Sequence, residues 1–242
     1  MGDRLWRQVV WGPLVAVLCV SFAGCSGSGG GHSAAASASA SASAAAKASR
    51  LSTEEKLRAA LLTRVNGVAA AAPASIGDYG TLAAANVISQ DGASQGAVTP
   101  KACAAAARSG FEPAALRGAE AAAVTFKVAK NTVSEVLISS SGSPATTAIS
   151  GLVPAQCAHY VAKAEGKSVA YSVSQAAVTG IGRQAKALDV RPNGNGALEM
   201  WSLIYRGARF VGTVTVVGPN ASEKAVQELG KQAYAFAIKT LS

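Results

Sequence analysis

Few residues in this chain could do chemistry, and their scarcity already narrows the field. Only two histidines occur, His32 and His159. A serine-hydrolase arrangement would have to use His159, but no Gly-x-Ser-x-Gly turn exists to expose a nucleophile. His159 sits two residues after Cys157, on a stretch with amphipathic spacing, where a histidine ordinarily serves packing or solvation. With Glu199 it is the best that an enzyme acting on wall material could muster. No cluster of His, Cys, Asp and Glu has metal-ligand spacing, and Gly180-x-Gly182 lacks the third glycine and following helix of a phosphate loop. The expectation is a protein without catalytic residues, metal or cofactor. The most suggestive group is aromatic: Trp201 and Tyr205 fall on one side of a strand whose other side carries Leu198, Met200, Ser202 and Ile204, with Tyr171 and Arg206 as companions. Either side can be the core. These four residues are candidates for lining a ligand cleft, against the ordinary role of such aromatics in packing beneath a helix.

The cysteines sort by position. Cys19 and Cys25 lie near the N-terminus, and Cys103 and Cys157 within the later sequence. In an oxidising compartment the latter two are expected to pair, the alternative being two buried thiols. Closing a loop of roughly 54 residues stabilises a domain by about 4 kcal/mol in the chain-entropy model.

That compartment is argued from the leader. Arg4 and Arg7 precede an apolar run from Val9 to Val20, then Ser21-Phe22-Ala23-Gly24-Cys25. The run is short for a membrane span and ends in small residues, the layout of a secretory signal over residues 1–24. Phe22-Ala23-Gly24-Cys25 resembles the bacterial lipobox, with Phe22 in the position usually held by Leu. The resemblance implies diacylglycerol attachment to the Cys25 thiol and cleavage before it, so that the partner is the lipid bilayer and the protein is anchored at the extracytoplasmic face without spanning. An ordinary signal peptide cut nearby is the alternative. Residues 25–50 continue as Gly, Ser and Ala with no core former, a composition expected to behave as a flexible tether reaching roughly 25–30 Å.

The formal charge is +9 over 242 residues, of which 14% are charged, and it drops by one with Asp3, Arg4 and Arg7. The basic residues are scattered, which fits general attraction to anionic envelope material better than a nucleic-acid site.

Residues 51–242 must position whatever site exists. Ser52-Thr-Glu-Glu55 followed by Leu57, Leu61, Leu62 and Val65 predicts a helix over 53–66, and residues 73–98 read as irregular. Thr99-Pro100 predicts a short helix to 109. Alternation predicts a hairpin from Ala122 to Ser139, and helical spacing returns over 144–161, broken at Pro154. Both late cysteines occur as Pro-x-x-Cys. Strands follow over 169–173, 185–191, 198–205 and 209–217, joined by short turns that favour an antiparallel meander. Asn220 with Glu223 predicts the cap of a closing helix, which also accounts for the Asn220-Ala-Ser222 sequon. The fold class is therefore α+β, helices grouped around an antiparallel sheet.

The Lys56-Leu-Arg-Ala-Ala-Leu-Leu-Thr63 helix, Cys103 and Cys157, the strand-rich second half and the closing helix together resemble the PknH-type extracellular sensor domain family of actinobacterial lipoproteins and receptor kinases. The likeness spans most of 51–242, but the family's second disulfide has no counterpart, since no cysteine follows Cys157. It implies a curved antiparallel sheet flanked by helices around a cleft for an extracellular ligand, with no catalytic residues to carry over. The expected function is a non-catalytic, membrane-anchored binding or sensor domain for an extracellular ligand or envelope component. The alternative is a carrier or accessory protein for envelope lipids or glycans.

Overall fold

The computed structural model describes residues 53–84, 97–104, 114–150, 153–164, 167–194 and 199–241. The segments expected to be a leader and a tether lie outside them, as do Cys25 and Leu198.

In chain order the elements are helix α1 (53–59), strands β1 (Arg64–Val65), β2 (Val68–Ala69) and β3 (Ser75–Asp78), helix α2 (Tyr79–Ala84), strands β4 (Ala97–Thr99), β5 (Glu120–Val128) and β6 (Asn131–Ser139), and helix α3 (Ser143–Ser150). Strands β7 (His159–Ala164), β8 (Lys167–Val178), β9 (Gln184–Pro192), β10 (Met200–Arg206) and β11 (Phe210–Val217) follow, closed by helix α4 (Glu223–Leu241). Nine strands form one sheet in the order β3-β5-β6-β11-β10-β9-β8-β7-β4, antiparallel throughout. The expected mixed architecture is therefore observed, with β7 to β11 running as the meander that short turns dictate. Among the described residues no helix is long and apolar enough to cross a membrane.

Both faces of the sheet are covered, which is why its central strands are apolar on both sides. One face carries Phe126, Leu137, Leu203, Tyr205, Phe210 and Val214 under α1, the turn after it and α4, through Leu57, then Leu61, then Val226, Leu229 and Ala233. The opposite face carries Val136, Ile138, Leu188, Ile204 and Val211 beneath Tyr79, Leu116 and Ile149. Tyr205 is accommodated on the first face by its cross-strand neighbour Gly212, where a Cβ would stand 2.2 Å from the ring. The aromatic ring thus covers the strand position left bare by glycine.

Several local expectations are corrected. The first helix ends at residue 59, because Asn66-Gly67, with φ 49° and 80°, makes the two-residue turn of the β1–β2 hairpin; this dipeptide is a stronger hairpin signal than a helix stop. The stretch read as irregular contains β3 and α2. No long helix covers 144–161: α3 ends before Pro154, and His159, Tyr160 and Val161 enter β7. The segment begun at Pro100 is a 3₁₀ turn over Lys101–Cys103, and residues 105–109 lie outside the described set. Both Pro-x-x-Cys segments adopt the same turn, with the Cys103 and Cys157 amides donating to the Pro100 and Pro154 carbonyls at 2.9 and 2.8 Å. The two turns are joined by the Cys103–Cys157 disulfide, buried at both ends.

The most deeply buried carboxyl among the described residues is that of Glu135. Glu135, on β6 beneath α1, is 1% exposed. Its Oε2 accepts the Leu62 amide proton at 2.8 Å, while Oε1 has no partner among the described residues. Burial pushes its pKa up to about 8, only partly offset by the Leu62 N–H.

Candidate ligand groove

The site is built where β9 and β10 leave the sheet and α4 begins. Register places Asp189 opposite Trp201, and the connection between the strands brings Arg191 and Glu199 together beside them. Helix α4 starts at Glu223 because the Ser222 Oγ accepts the Ala225 N–H at 3.2 Å. Asn220 is not the cap: its amide donates to the Asn131 Oδ1 at 3.2 Å, tying the turn to β6 instead. The first two turns of α4 then form one wall and the Trp201 strand the floor. The resulting groove, about 630 Å³, is lined by Arg191, Glu199, Trp201, Glu223, Lys224 and Lys231 among others.

Its polar contacts are dense. The Arg191 Nε lies 2.5 Å from the Asp189 Oδ2 and 3.1 Å from the Glu199 Oε1. The Trp201 indole N–H donates to the same Glu199 oxygen at 3.0 Å. The Arg191 guanidinium carbon stands 5.8 Å from the centroid of the Trp201 ring, within cation–π range. Asp189 is 6% exposed and its Oδ1 is buried without a partner among the described residues. Burial raises the Asp189 pKa; Arg191 opposes the rise, while Glu199 and Glu223 add to it. The arrangement can orient a polar or charged group over an indole.

The four residues expected to share a cleft are divided between the two faces. Trp201 lines the groove. Tyr205 is on the same face but fully buried, edge-on to Phe210 and Tyr234 at 6.3 and 5.8 Å, with its hydroxyl lacking a partner among the described residues. Burial, then Glu135 and Tyr234, drive its pKa upward, so it stays a neutral phenol. Arg206, the next residue, points to the opposite face as pleating requires, and its Nη1 donates to the Thr146 Oγ1 of α3 at 2.8 Å. Tyr171 is also on that face, since it pairs with Pro192 in the row of Val190 and Met200; it stacks on Tyr160 at 5.1 Å, and burial raises its pKa. The single-cleft expectation for Tyr171, Trp201, Tyr205 and Arg206 is thereby corrected by strand register.

His159 is exposed on β7 opposite Ser172. The Ser172 Oγ is 3.4 Å from the His159 Nδ1 but donates its proton to the Asn193 Oδ1 at 3.0 Å, so the histidine is not placed to take it. Glu199 belongs to the groove, three strands away. Sequence reasoning missed Asp189 and Arg191 as site residues. Their signal was the β9–β10 hairpin, whose register, once known, puts both beside Trp201.

No family model matches the chain, and no curated protein is similar enough to stand as a relative. Among solved structures, the extracellular domain of PknH from Mycobacterium tuberculosis is a neighbour at 12% identity and a TM-score of 0.49, covering 78% of this chain and 96% of that one. At that level it is a likeness, and nothing about ligand or mechanism is carried over from it.

Proposed function

We propose that this chain is a membrane-anchored extracytoplasmic protein whose folded part is a non-catalytic ligand-binding domain, with the groove between β10 and α4 as its binding site. The observation that carries the reading is the groove itself, in which an indole floor and charged side chains from three elements converge on open space. The anchor is supported by the lipobox-like Phe22-Ala23-Gly24-Cys25, and the oxidising compartment by the buried Cys103–Cys157 bridge. Part of the same reading is that the sheet curves, which would give the groove its depth. The carrier reading has less in its favour, because the groove is lined by charge where a lipid chain would need hydrocarbon.

Two measurements test it. Cells expressing the chain are labelled with radioactive palmitate: Cys25→Ser should abolish labelling and release the protein from the membrane fraction, and unchanged labelling would count against the anchor. Thermal unfolding of the purified protein against envelope fractions should show a ligand-dependent rise in Tm that Trp201→Ala removes. A rise that survives Trp201→Ala places binding elsewhere.

A further inference from the structure

We infer that the acid-free end of the sheet beneath α3 binds a phosphate group, held between Arg206 and Lys186. This site lies on the face of the sheet away from the groove and stands independently of it.

Basic residues that are scattered in sequence are gathered here by the fold. Residues 136–164, 166–188 and 200–222 contain no Asp or Glu, yet they carry Lys163, Lys167, Arg183, Lys186, Arg206 and Arg209. Of these, Arg183, Lys186, Arg206 and Arg209 stand at one end of β9, β10 and β11. The Arg183 amide donates to the Arg206 carbonyl at 2.8 Å, and the Arg209 carbonyl accepts the Ser140 amide at 3.0 Å. Cations elsewhere have acidic partners: Arg58 pairs with Glu55, Arg191 with Asp189 and Glu199, and Lys224 with Glu228. Among the described residues no carboxylate pairs with any of the cations at this end.

Register makes the pair. Lys186 is opposite Ile204 and Gln184 opposite Arg206, so Lys186 and Arg206 are diagonal neighbours on the face that packs against α3, with Cα atoms roughly 7–8 Å apart. Both are half-buried, and each is fixed by an uncharged acceptor from α3. The Arg206 Nη1 donates to the Thr146 Oγ1 at 2.8 Å, and that hydroxyl passes its own proton to the Gly142 carbonyl at 3.3 Å. The Lys186 Nζ donates to the Ser150 carbonyl at 3.1 Å, and the Gln184 side-chain amide to the Ser150 Oγ at 3.4 Å. A guanidinium and an ammonium each carry more donors than these bonds use. Like charges at this separation repel when no carboxylate lies between them, and an anion placed there removes the repulsion. A phosphate suits the position because its oxygens point tetrahedrally: one edge can meet the guanidinium while another oxygen meets the ammonium. A planar carboxylate spends both oxygens on the guanidinium edge.

The full chain in nonionic detergent is titrated by calorimetry with inorganic phosphate, glycerol phosphate and short-chain phosphatidylglycerol. Ionic strength is held constant with chloride, and acetate serves as the carboxylate control. Saturable heat is expected from the phosphates and none from acetate. Lys186→Gln and Arg206→Gln should each weaken binding by about tenfold, the loss of one charge-assisted hydrogen bond. Lys239→Gln, which removes the same charge from α4 on the opposite face, should leave the affinity within about twofold. If Arg206→Gln loses the native far-UV spectrum, Lys186→Gln decides alone. Phosphatidylglycerol binding more tightly than glycerol phosphate identifies a lipid headgroup as the source of the phosphate; equal or weaker binding identifies a soluble one. Absence of saturable binding by every phosphate probe overturns the inference, as does equal binding of acetate or an affinity that Lys186→Gln leaves unchanged.

Discussion

Replacing Glu135 by glutamine should make this protein more stable, by an amount that grows with pH. In the unfolded chain the Glu135 carboxyl titrates near 4.5, whereas in the folded state burial holds it to about 8. Between those values the native state keeps a proton that the unfolded state has released. Stability contributed by this group is therefore complete below pH 4.5 and declines as pH rises through 8, at about 1.4 kcal/mol per unit. The cumulative loss is about 3 kcal/mol at pH 7 and about 5 kcal/mol above pH 8. In Glu135→Gln the side-chain amide would retain an acceptor for the Leu62 N–H while having no charge to bury, so the substitution removes the penalty and keeps the bond. For a domain of this size, 1 kcal/mol shifts Tm by about 2–4 °C. The two proteins should thus melt together at pH 4.5, with the variant higher by about 10 °C or more at pH 8.5. The assay is thermal unfolding followed by circular dichroism from pH 4.5 to 9, read as the difference between variant and parent so that other titrating groups cancel. A difference that is flat with pH would refute the reasoning, since it would mean that the carboxylate ionises in place without cost.

Three further outcomes follow from packing and covalent structure. Gly212→Ala should destabilise by about 1–3 kcal/mol in urea unfolding, because the new methyl would stand within 2.2 Å of the buried Tyr205 ring. Removing the disulfide by Cys103→Ser with Cys157→Ser should lower stability by about 4 kcal/mol, the entropy of a loop with sequence separation 54, and the loss should be matched by reduction of the parent. Ser222→Ala should cost about 1 kcal/mol through loss of the α4 cap, whereas Asn220→Ala should leave the helix start intact.

Much of the architecture was legible from one dimension. Strands show as alternation, helices as apolar stripes and turns as Gly, Pro and Asn, each a local steric consequence that needs no knowledge of neighbours. The β5–β6 hairpin, the meander after residue 167 and helix α4 were placed in this way, as was the pairing of the two late cysteines, which follows from compartment and count. The β7 strand was read as helix because Tyr160 and Val161 satisfy either period over so short a run. What only tertiary structure decided was the company each side chain keeps. A shift of one residue in register exchanges the faces of a strand, and no local term distinguishes the two when both faces are buried. Hence Trp201 was recognisable as a candidate from its type, while its separation from Tyr171 and Arg206, and its union with Asp189, Arg191, Glu199 and Glu223, awaited the pairing of β9 with β10 and the docking of α4. The expectation of a leader and of the Cys25 motif comes from sequence alone, because an address is a local pattern; the groove exists only as a relation among strands and a helix, fixed by the burial of everything beneath them.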